Sequence, residues 1–248
     1  MTKTILITGG SRGIGREAAI LCGERGWSVG INYVGNRAAA EETAEAVRKA
    51  GGKTVLAQGD VASEQDVAAM FEATEGAFGK LSGVVVNAGI VAPASPLAEM
   101  SLERMRRIFE VNVLGAYLCA RECARRLPKN RGGEGGSVVL LSSAAARLGS
   151  PLEYVDYAGS KGAVDTLTVG LAKELGREGV RVNAIRPGLI ETDIHASGGA
   201  PDRAHRLGVT TPMGRPGTAR EVAEAIVWLL SDAASYTTGA ILDVSGGR

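Results

Sequence analysis

Cysteine is scarce: Cys22, Cys119 and Cys123 are the whole complement of a 248-residue chain. Three is an odd number, and none stands at metal-ligand spacing, so neither a disulfide framework nor a zinc site is indicated. Cys119 and Cys123 fall four apart within a helical pattern, where buried thiols are expected. Histidine is scarcer still. His195 and His205 have no carboxylate or cysteine set beside them at ligand spacing, so they read as exposed loop residues and no metal is expected. Net charge is almost absent, with 28 Lys and Arg against 27 Asp and Glu. That balance gives no reason to expect a nucleic acid or an anionic membrane surface as partner. No run of about eighteen apolar residues occurs, and the opening MTKTILITGG enters a strand without a leader-like stretch, so a cytoplasmic protein is the default. What is present is a 45% hydrophobic composition and a length suited to one α/β domain over 1–248.

Glycine is plentiful, at 35 residues, and many come just after predicted strands, where tight turns and close ligand approach use them. A β-branched run at 3–8 leads into Gly9-Gly10-Ser11-Arg12-Gly13-Ile14-Gly15 and a helical pattern to about Glu24. Strand, glycine turn and helix is an arrangement in which backbone N–H groups and a helix N-terminus hold a phosphate. The spacing is G-x-x-x-G-x-G, and a turn that merely connects two elements is the alternative. A second strand, 27–33, would end at an adenosine ribose. A carboxylate there would bind a 2′-hydroxyl, but no acid occurs between Gly26 and Glu41. Arg37 lies just past the strand and Arg12 inside the turn, a pair suited to gripping a 2′-phosphate. Two solvated surface arginines are the plainer alternative.

Further along, a helix at 37–50 and a strand at 54–58 lead to Gly59-Asp60-Val61. A helix at 64–78 and a strand at 82–86 lead to Asn87-Ala88-Gly89. One helix is expected over 102–127, carrying Asn112 among apolar residues, where a buried amide needs partners. Strands at 137–141, 180–185 and 240–244 and helices at 155–178 and 219–231 complete the alternation, with a polar segment at 191–217. This order calls for a parallel sheet covered on both faces. The helices at 102–127 and 155–178 carry Tyr117, Leu118, Leu167, Val169 and Leu171 on more than one face, so a second subunit is expected against them.

The pivotal pair is Tyr157 and Lys161. Four residues apart, they share one helical face. An ammonium beside a phenol favours the phenolate, so Lys161 is expected to lower the tyrosine pKa and suit it to general acid/base work. Ser143 stands where the strand GSVVLLS runs out, at the sheet edge where ligands bind. A solvated Tyr–Lys pair is the plainer reading of either residue alone.

With these pieces placed, the chain resembles the short-chain dehydrogenase/reductase family over essentially its whole length. The matching residues are Thr8 to Gly15, Asp60-Val61, Asn87-Ala88-Gly89, Asn112, Ser143, Tyr157-x-x-x-Lys161 and Pro187-Gly188. The resemblance implies a single-domain Rossmann fold: a doubly wound, seven-stranded parallel sheet with helices on both faces. It also implies a nicotinamide cofactor, a small carbonyl or alcohol substrate and a homotetramer; Arg12, Arg37 and the missing acid make NADP(H) the expected form in preference to NAD(H). By the same resemblance Tyr157 is the acid/base, Lys161 holds the nicotinamide ribose, Ser143 bonds the substrate oxygen, and Asn112 anchors a water in a proton path. Gly9, Ser11, Arg12, Gly13, Ile14 and Gly15 would cradle the cofactor, with Asn32 and Arg37 near the second strand's end. Asp60 and Val61 would meet the adenine, Asn87, Ala88 and Gly89 its ribose, and Pro187, Gly188, Ile190 and Thr192 the carboxamide. The segment 191–217 would cover the substrate.

Two departures from the family pattern stand out. Gly159 occupies a helical position where the family has Ala or Ser more often. The stretch between Ser143 and Tyr157 is one residue longer than usual, through Pro-Leu-Glu-Tyr-Val-Asp. β-Ketoacyl-acyl carrier protein reductases dock an acidic carrier through basic residues, one of them at the position of Glu178 here, beside Arg177. A second cluster, Arg121, Arg125, Arg126, Lys129 and Arg131, either serves such a carrier or is a solvated helix end. The C-terminal stretches around Pro212 and Ser235 are similar to those of glucose-dehydrogenase-type members. A silent NADP(H)-sensing protein is the non-enzymatic alternative.

Overall fold

In the computed structural model, which describes residues 2–248, the run TILI forms β1 (Thr4–Ile7) with all four residues buried. It is followed by α1 (Gly13–Glu24), β2 (Ser28–Tyr33), α2 (Arg37–Lys49), β3 (Lys53–Gln58), α3 (Glu64–Phe78) and β4 (Gly83–Val86). Then come α4 (Leu102–Phe109), α5 (Gly115–Arg126), β5 (Gly136–Leu141), α6 (Ala145–Leu148), α7 (Val155–Leu175) and β6 (Val180–Pro187). The chain closes with β7 (Ile190–Glu191), α8 (Ile194–Ser197), α9 (Arg203–Gly208), β8 (Gly217–Thr218), α10 (Ala219–Leu230) and β9 (Ile241–Val244). Seven strands pair in the order β3-β2-β1-β4-β5-β6-β9, every pair parallel. The doubly wound α/β sheet expected from the alternation is therefore the fold.

Successive strand residues point to opposite faces, and each face has its own core. Leu6, Val84, Val138 and Val182 pack with Phe71 and Met70 of α3, Cys119 of α5 and Leu171 of α7. Ile5, Ile7, Val85 and Val139 pack with Ala18 and Ala19 of α1, Val47 of α2 and Ile226 of α10. Each large side chain so buried contributes about 1.5–3 kcal/mol. Winding reverses between β1 and β4, and at such a switch point the strand ends leave a crevice for a ligand.

The helix expected without interruption over 102–127 is broken. Between α4 and α5, Glu110–Leu114 forms a π-helical turn centred on Asn112. Such a turn holds one residue more than an α-helical turn, so α5 is rotated about the helix axis relative to α4. An apolar period averaged over 26 residues does not reveal a single extra residue, which is why the sequence reads as one helix.

Candidate active site

The turn after β1 is held by its neighbours. Buried Thr8 accepts through its hydroxyl from the backbone N–H of Asn87 at 2.9 Å and of Ala88 at 3.0 Å, tying together the ends of β1 and β4. Asn87 Nδ2 donates to the carbonyls of Thr8 and Gly9 at 2.9 and 3.0 Å. Asn32, buried on β2, donates to the carbonyls of Ala57 and Gly59 at 3.1 and 2.9 Å and accepts from Gly9 N–H at 3.0 Å. Both residues border the cleft, and through these bonds they also support the turn. Gly9 and Gly13 adopt φ of +61° and +54°. A Cβ on Gly15 would collide with the Gly9 carbonyl oxygen, so no larger residue fits where the turn meets the helix. Arg12 caps α1 without a side-chain bond, and the first turn holds no acid. The leading N–H groups of α1 are thus left for an anion from outside. The chemistry of this cradle fits a dinucleotide phosphate.

The cleft beyond is lined by Ser11, Arg12, Gly13 and Ile14 on one side and by Asp60, Val61, Ala88 and Gly89 on the other, with Thr192 across it. Where an acid would meet a ribose, Tyr33, Val34, Gly35 and Asn36 stand instead. Arg37 is not among the lining residues. Its Nε lies 2.8 Å from Glu41 Oε1 one turn along α2, and its side chain is 71% exposed, because residues four apart on a helix surface are natural partners. Arg107 of α4 is a lining residue that the sequence did not reveal; its guanidinium donates to Asp60 Oδ2 at 3.1 Å. It lies in a run read as plain helix, and no motif marks it.

The strand β5 delivers Ser142 and Ser143 to its C-terminal end. Ser143, Tyr157 and Lys161 line a second cavity together with Pro187, Gly188 and Ile190. Ile14, Asn87, Gly89, Thr192 and Ile194 border both cavities, so the two are continuous. Lys161 is buried, and its Nζ donates to the Leu141 carbonyl at 2.7 Å while lying 5.7 Å from the Tyr157 ring centroid. Burial brings the Lys161 ammonium down to about 8, against the pull of Asp165 one turn along α7. Burial also raises the Tyr157 phenol above its ordinary value, only partly offset by the Ser143 hydroxyl. Burial outweighs the Ser143 hydrogen bond, so the phenol is raised here and not lowered as expected.

Asn112 approaches this cavity from the π turn without lining it. Its Oδ1 accepts from Ile90 N–H at 2.8 Å, and its Nδ2 donates to Ile90 O at 2.9 Å and Ser160 Oγ at 3.1 Å. The buried amide expected to need partners has them, supplied by the loop after β4 and by α7.

Part of the segment 191–217 closes over the pocket. β7 and β8 pair at its two ends, and α8 and α9 lie between. Arg203 of α9 grips Glu153 through both guanidinium nitrogens at 2.9 and 2.6 Å and lies 5.0 Å over the Tyr154 ring. His195 is not the exposed loop residue expected. It lines the pocket, its Nε2 lies 3.0 Å from Ile190 O, and burial holds its pKa below 6.5. His205 is exposed, 3.6 Å from Glu191. The basic cluster at the end of α5 is largely neutralised: Arg121 pairs with Glu64, and Arg125 and Arg126 with Glu122. Cys119 and Cys123 are buried, with thiols pushed well up by desolvation, as inert core residues would be.

A phosphate cradle at a switch point, continuous with a pocket holding a serine, a tyrosine and a lysine, defines a nucleotide-dependent oxidoreductase architecture. Comparison with known proteins bears this out. The family model described as Enoyl-(Acyl carrier protein) reductase matches residues 9–248. The uncharacterized oxidoreductase YgfF of Escherichia coli (strain K12) is 49% identical over 98% of this chain and 98% of its own. The NADPH-dependent aldehyde reductase-like protein, chloroplastic, of Arabidopsis thaliana is 36% identical over 99% of this chain and 93% of its own. The crystal structure of levodione reductase superimposes with a TM-score of 0.92 at 30% identity, covering 99% of this chain and 96% of that one. The chain belongs to the short-chain dehydrogenase/reductase family. As such it is an enzyme acting on CH–OH groups with a nicotinamide dinucleotide as acceptor. Among the described residues no helix is long and apolar enough to cross a membrane.

Proposed function

We propose that this protein is an NADPH-dependent reductase of small carbonyl compounds, running in reverse as an alcohol dehydrogenase, with Tyr157 as its acid/base. The observation that carries the reading is the meeting of Ser143, Tyr157 and Lys161 in a pocket continuous with the phosphate cradle. When bound, the nicotinamide cofactor supplies the hydride. Tyr157, protonated at neutral pH, donates its phenolic proton to the carbonyl oxygen as that oxygen gains negative charge. Ser143 donates a hydrogen bond to the same oxygen, which stabilises the transition state more than the ground state. Lys161 holds the cofactor ribose and adds positive charge beneath the phenol, and Asn112 keeps α7 against the loop after β4. Asp60, Val61, Ala88 and Gly89 form the adenosine side of the cleft, while Pro187, Gly188, Ile190 and Thr192 form the nicotinamide side. Residues 191–217 cover the substrate.

The missing acid after β2 and the presence of Arg12 in the cleft support a preference for the 2′-phosphate of NADPH over the 2′-hydroxyl of NADH. The N-terminus of α2 adds to this. It carries no acid in its first turn, and Asn36, which caps it, lines the cleft. Arg37 joins them only by leaving Glu41. Purified protein with NADPH and a panel of aldehydes, ketones and sugars tests the reading. Oxidation of NADPH by at least one carbonyl is expected, with a rate that falls as pH rises through about 8, where Lys161 loses its proton. A profile flat up to the ordinary lysine range, or no turnover with any carbonyl, would contradict it.

A tetramer built through α4, α5 and α7 fits the outer surface. Of the residues expected on a second apolar face, Leu118 and Leu171 are buried within the chain and Leu167 partly so, while Tyr117 and Val169 are exposed, as are Phe109 and Leu114. A Cβ on Gly159 would meet nothing within 4 Å, so nothing in this chain demands a glycine there, and a facing helix of a second copy gives it a reason. Light scattering at low micromolar concentration should give about four times the 25.5 kDa chain mass. An active species of single-chain mass would refute this assembly. The buried, unpaired thiols suit a reducing compartment, which we take to be the cytoplasm.

A further inference from the structure

The loop entering α7 is strained and clamped. Ser150 and Leu152 have φ of +45° and +62°, a region that non-glycine residues rarely adopt. Both lie between Ser143 and Tyr157, the stretch whose length departs from the spacing the family resemblance leads one to expect. Tyr154, the residue capping α7, makes no side-chain cap bond. In place of a cap, the buried carboxylate of Asp156 accepts the backbone N–H of Tyr157 through Oδ1 at 2.8 Å. The same carboxylate is held by Arg104 of α4, whose Nε lies 2.8 Å from Oδ2 and whose Nη2 lies 3.2 Å from Oδ1. Arg104 also reaches the carbonyls of Pro93 at 2.5 Å and Glu153 at 3.5 Å. One guanidinium thus joins the loop after β4, the strained loop and the first turn of α7.

A pair with side chains 1% and 14% exposed contributes little net stability, because desolvation offsets its attraction. Its geometry is what distinguishes it. The planar fork of Arg104 fixes the direction of the carboxylate, and the carboxylate fixes the backbone of Tyr157 itself. From this geometry we propose that Arg104 and Asp156 are positioning residues for the reaction: they set where the Tyr157 phenol stands relative to Ser143 and Lys161. The proposal rests on Tyr157 being the acid/base. A displacement of about 1 Å at a reacting group costs about a hundredfold in rate.

The test uses the full chain with its best carbonyl substrate and NADPH, and compares Asp156→Ala, Asp156→Asn, Arg104→Ala, Arg104→Lys and the double alanine variant. Each is measured for kcat, KM, NADPH bound per subunit and thermal midpoint. Asp156→Ala and Arg104→Ala should lower kcat about a hundredfold while bound NADPH per subunit and KM stay within about twofold. The double variant should be no worse than the worse single one, since both remove the same link. Asp156→Asn keeps an acceptor for the Tyr157 N–H, and Arg104→Lys keeps the charge without the fork, so both should fall between. These two also carry the test should the alanine variants fail to fold. Wild-type kcat in the folded variants, or a kcat that falls only in proportion to bound cofactor, would overturn the proposal. Tyr157→Phe run alongside separates the two failures: if it stays active the acid/base reading is wrong, and if it is inactive while Asp156→Ala is not, only the positioning role is lost.

Discussion

Replacing Tyr157 by phenylalanine should lower carbonyl reduction by about a hundred- to ten-thousand-fold, the usual contribution of a positioned acid/base. The ring remains and only the hydroxyl goes, so NADPH should still bind. Tyr157 is half-buried, and desolvation raises its phenol, so at neutral pH it is the proton, not a phenolate, that the substitution removes. The fold should tolerate the change, since one hydroxyl bond at this site accounts for about 1 kcal/mol. Steady-state rates at saturating NADPH, together with a fluorescence titration of the cofactor, measure both halves. Near-normal turnover by Tyr157→Phe would sink the mechanism. Loss of NADPH binding in the same variant would show that the tyrosine serves the cofactor and would leave the acid unassigned. Lys161→Ala should differ in kind. Its Nζ donates to the Leu141 carbonyl beside the same pocket, so both turnover and cofactor affinity should fall.

The second large effect concerns the cofactor. Arg12→Ala should weaken NADPH by about 1.5–3 kcal/mol, the usual contribution of a hydrogen bond to a charged group. That is about ten- to 150-fold in Kd, and NADH should be nearly unchanged. Arg37→Ala should do much less, because Arg37 is already paired with Glu41 on the exposed face of α2. Such exposed i,i+4 pairs are worth about 0.3–0.5 kcal/mol, so the pairing itself holds Arg37 only loosely. Glu41→Gln therefore separates two versions of the site. If Arg37 swings to the phosphate, freeing it should tighten NADPH; if it does not, NADPH affinity stays put. Equal affinity of the wild-type protein for NADPH and NADH would remove the 2′-phosphate assignment altogether. Isothermal titration of both cofactors into the three variants decides among these outcomes.

The places where sequence reading fell short share a cause. The glycine turn and the Tyr157–Lys161 spacing were legible because each is a local pattern whose geometry is set by a few consecutive residues. The π turn at Asn112 was not, since one extra residue is invisible in an averaged apolar period. The pairing of Arg37 with Glu41 was not legible, because sequence gives its distance along the chain from β2 but not which neighbour holds its guanidinium. The bonds by which Asn32 and Asn87 brace the turn go to carbonyls that the sheet brings near, and the sequence carries no sign of them. Arg107 and Arg203 carried no signal at all, because their partners, Asp60 and Glu153, lie 47 and 50 residues away.

By itself the sequence determined the alternation of strand and helix, hence the parallel sheet, the phosphate turn, and the pairing of Tyr157 with Lys161. These arise from backbone preference and periodicity, which act over a few residues and are written into consecutive letters. Only the tertiary structure decided the protonation of the site and its bracing. Burial set the directions of Tyr157 and Lys161, against the Ser143 hydrogen bond in one case and the Asp165 charge in the other. Side chains from α4 and α9 converge on residues 153–156 to hold the entry of α7. Desolvation and long-range ion pairs depend on what the fold packs around a group, and no spacing along the chain encodes that.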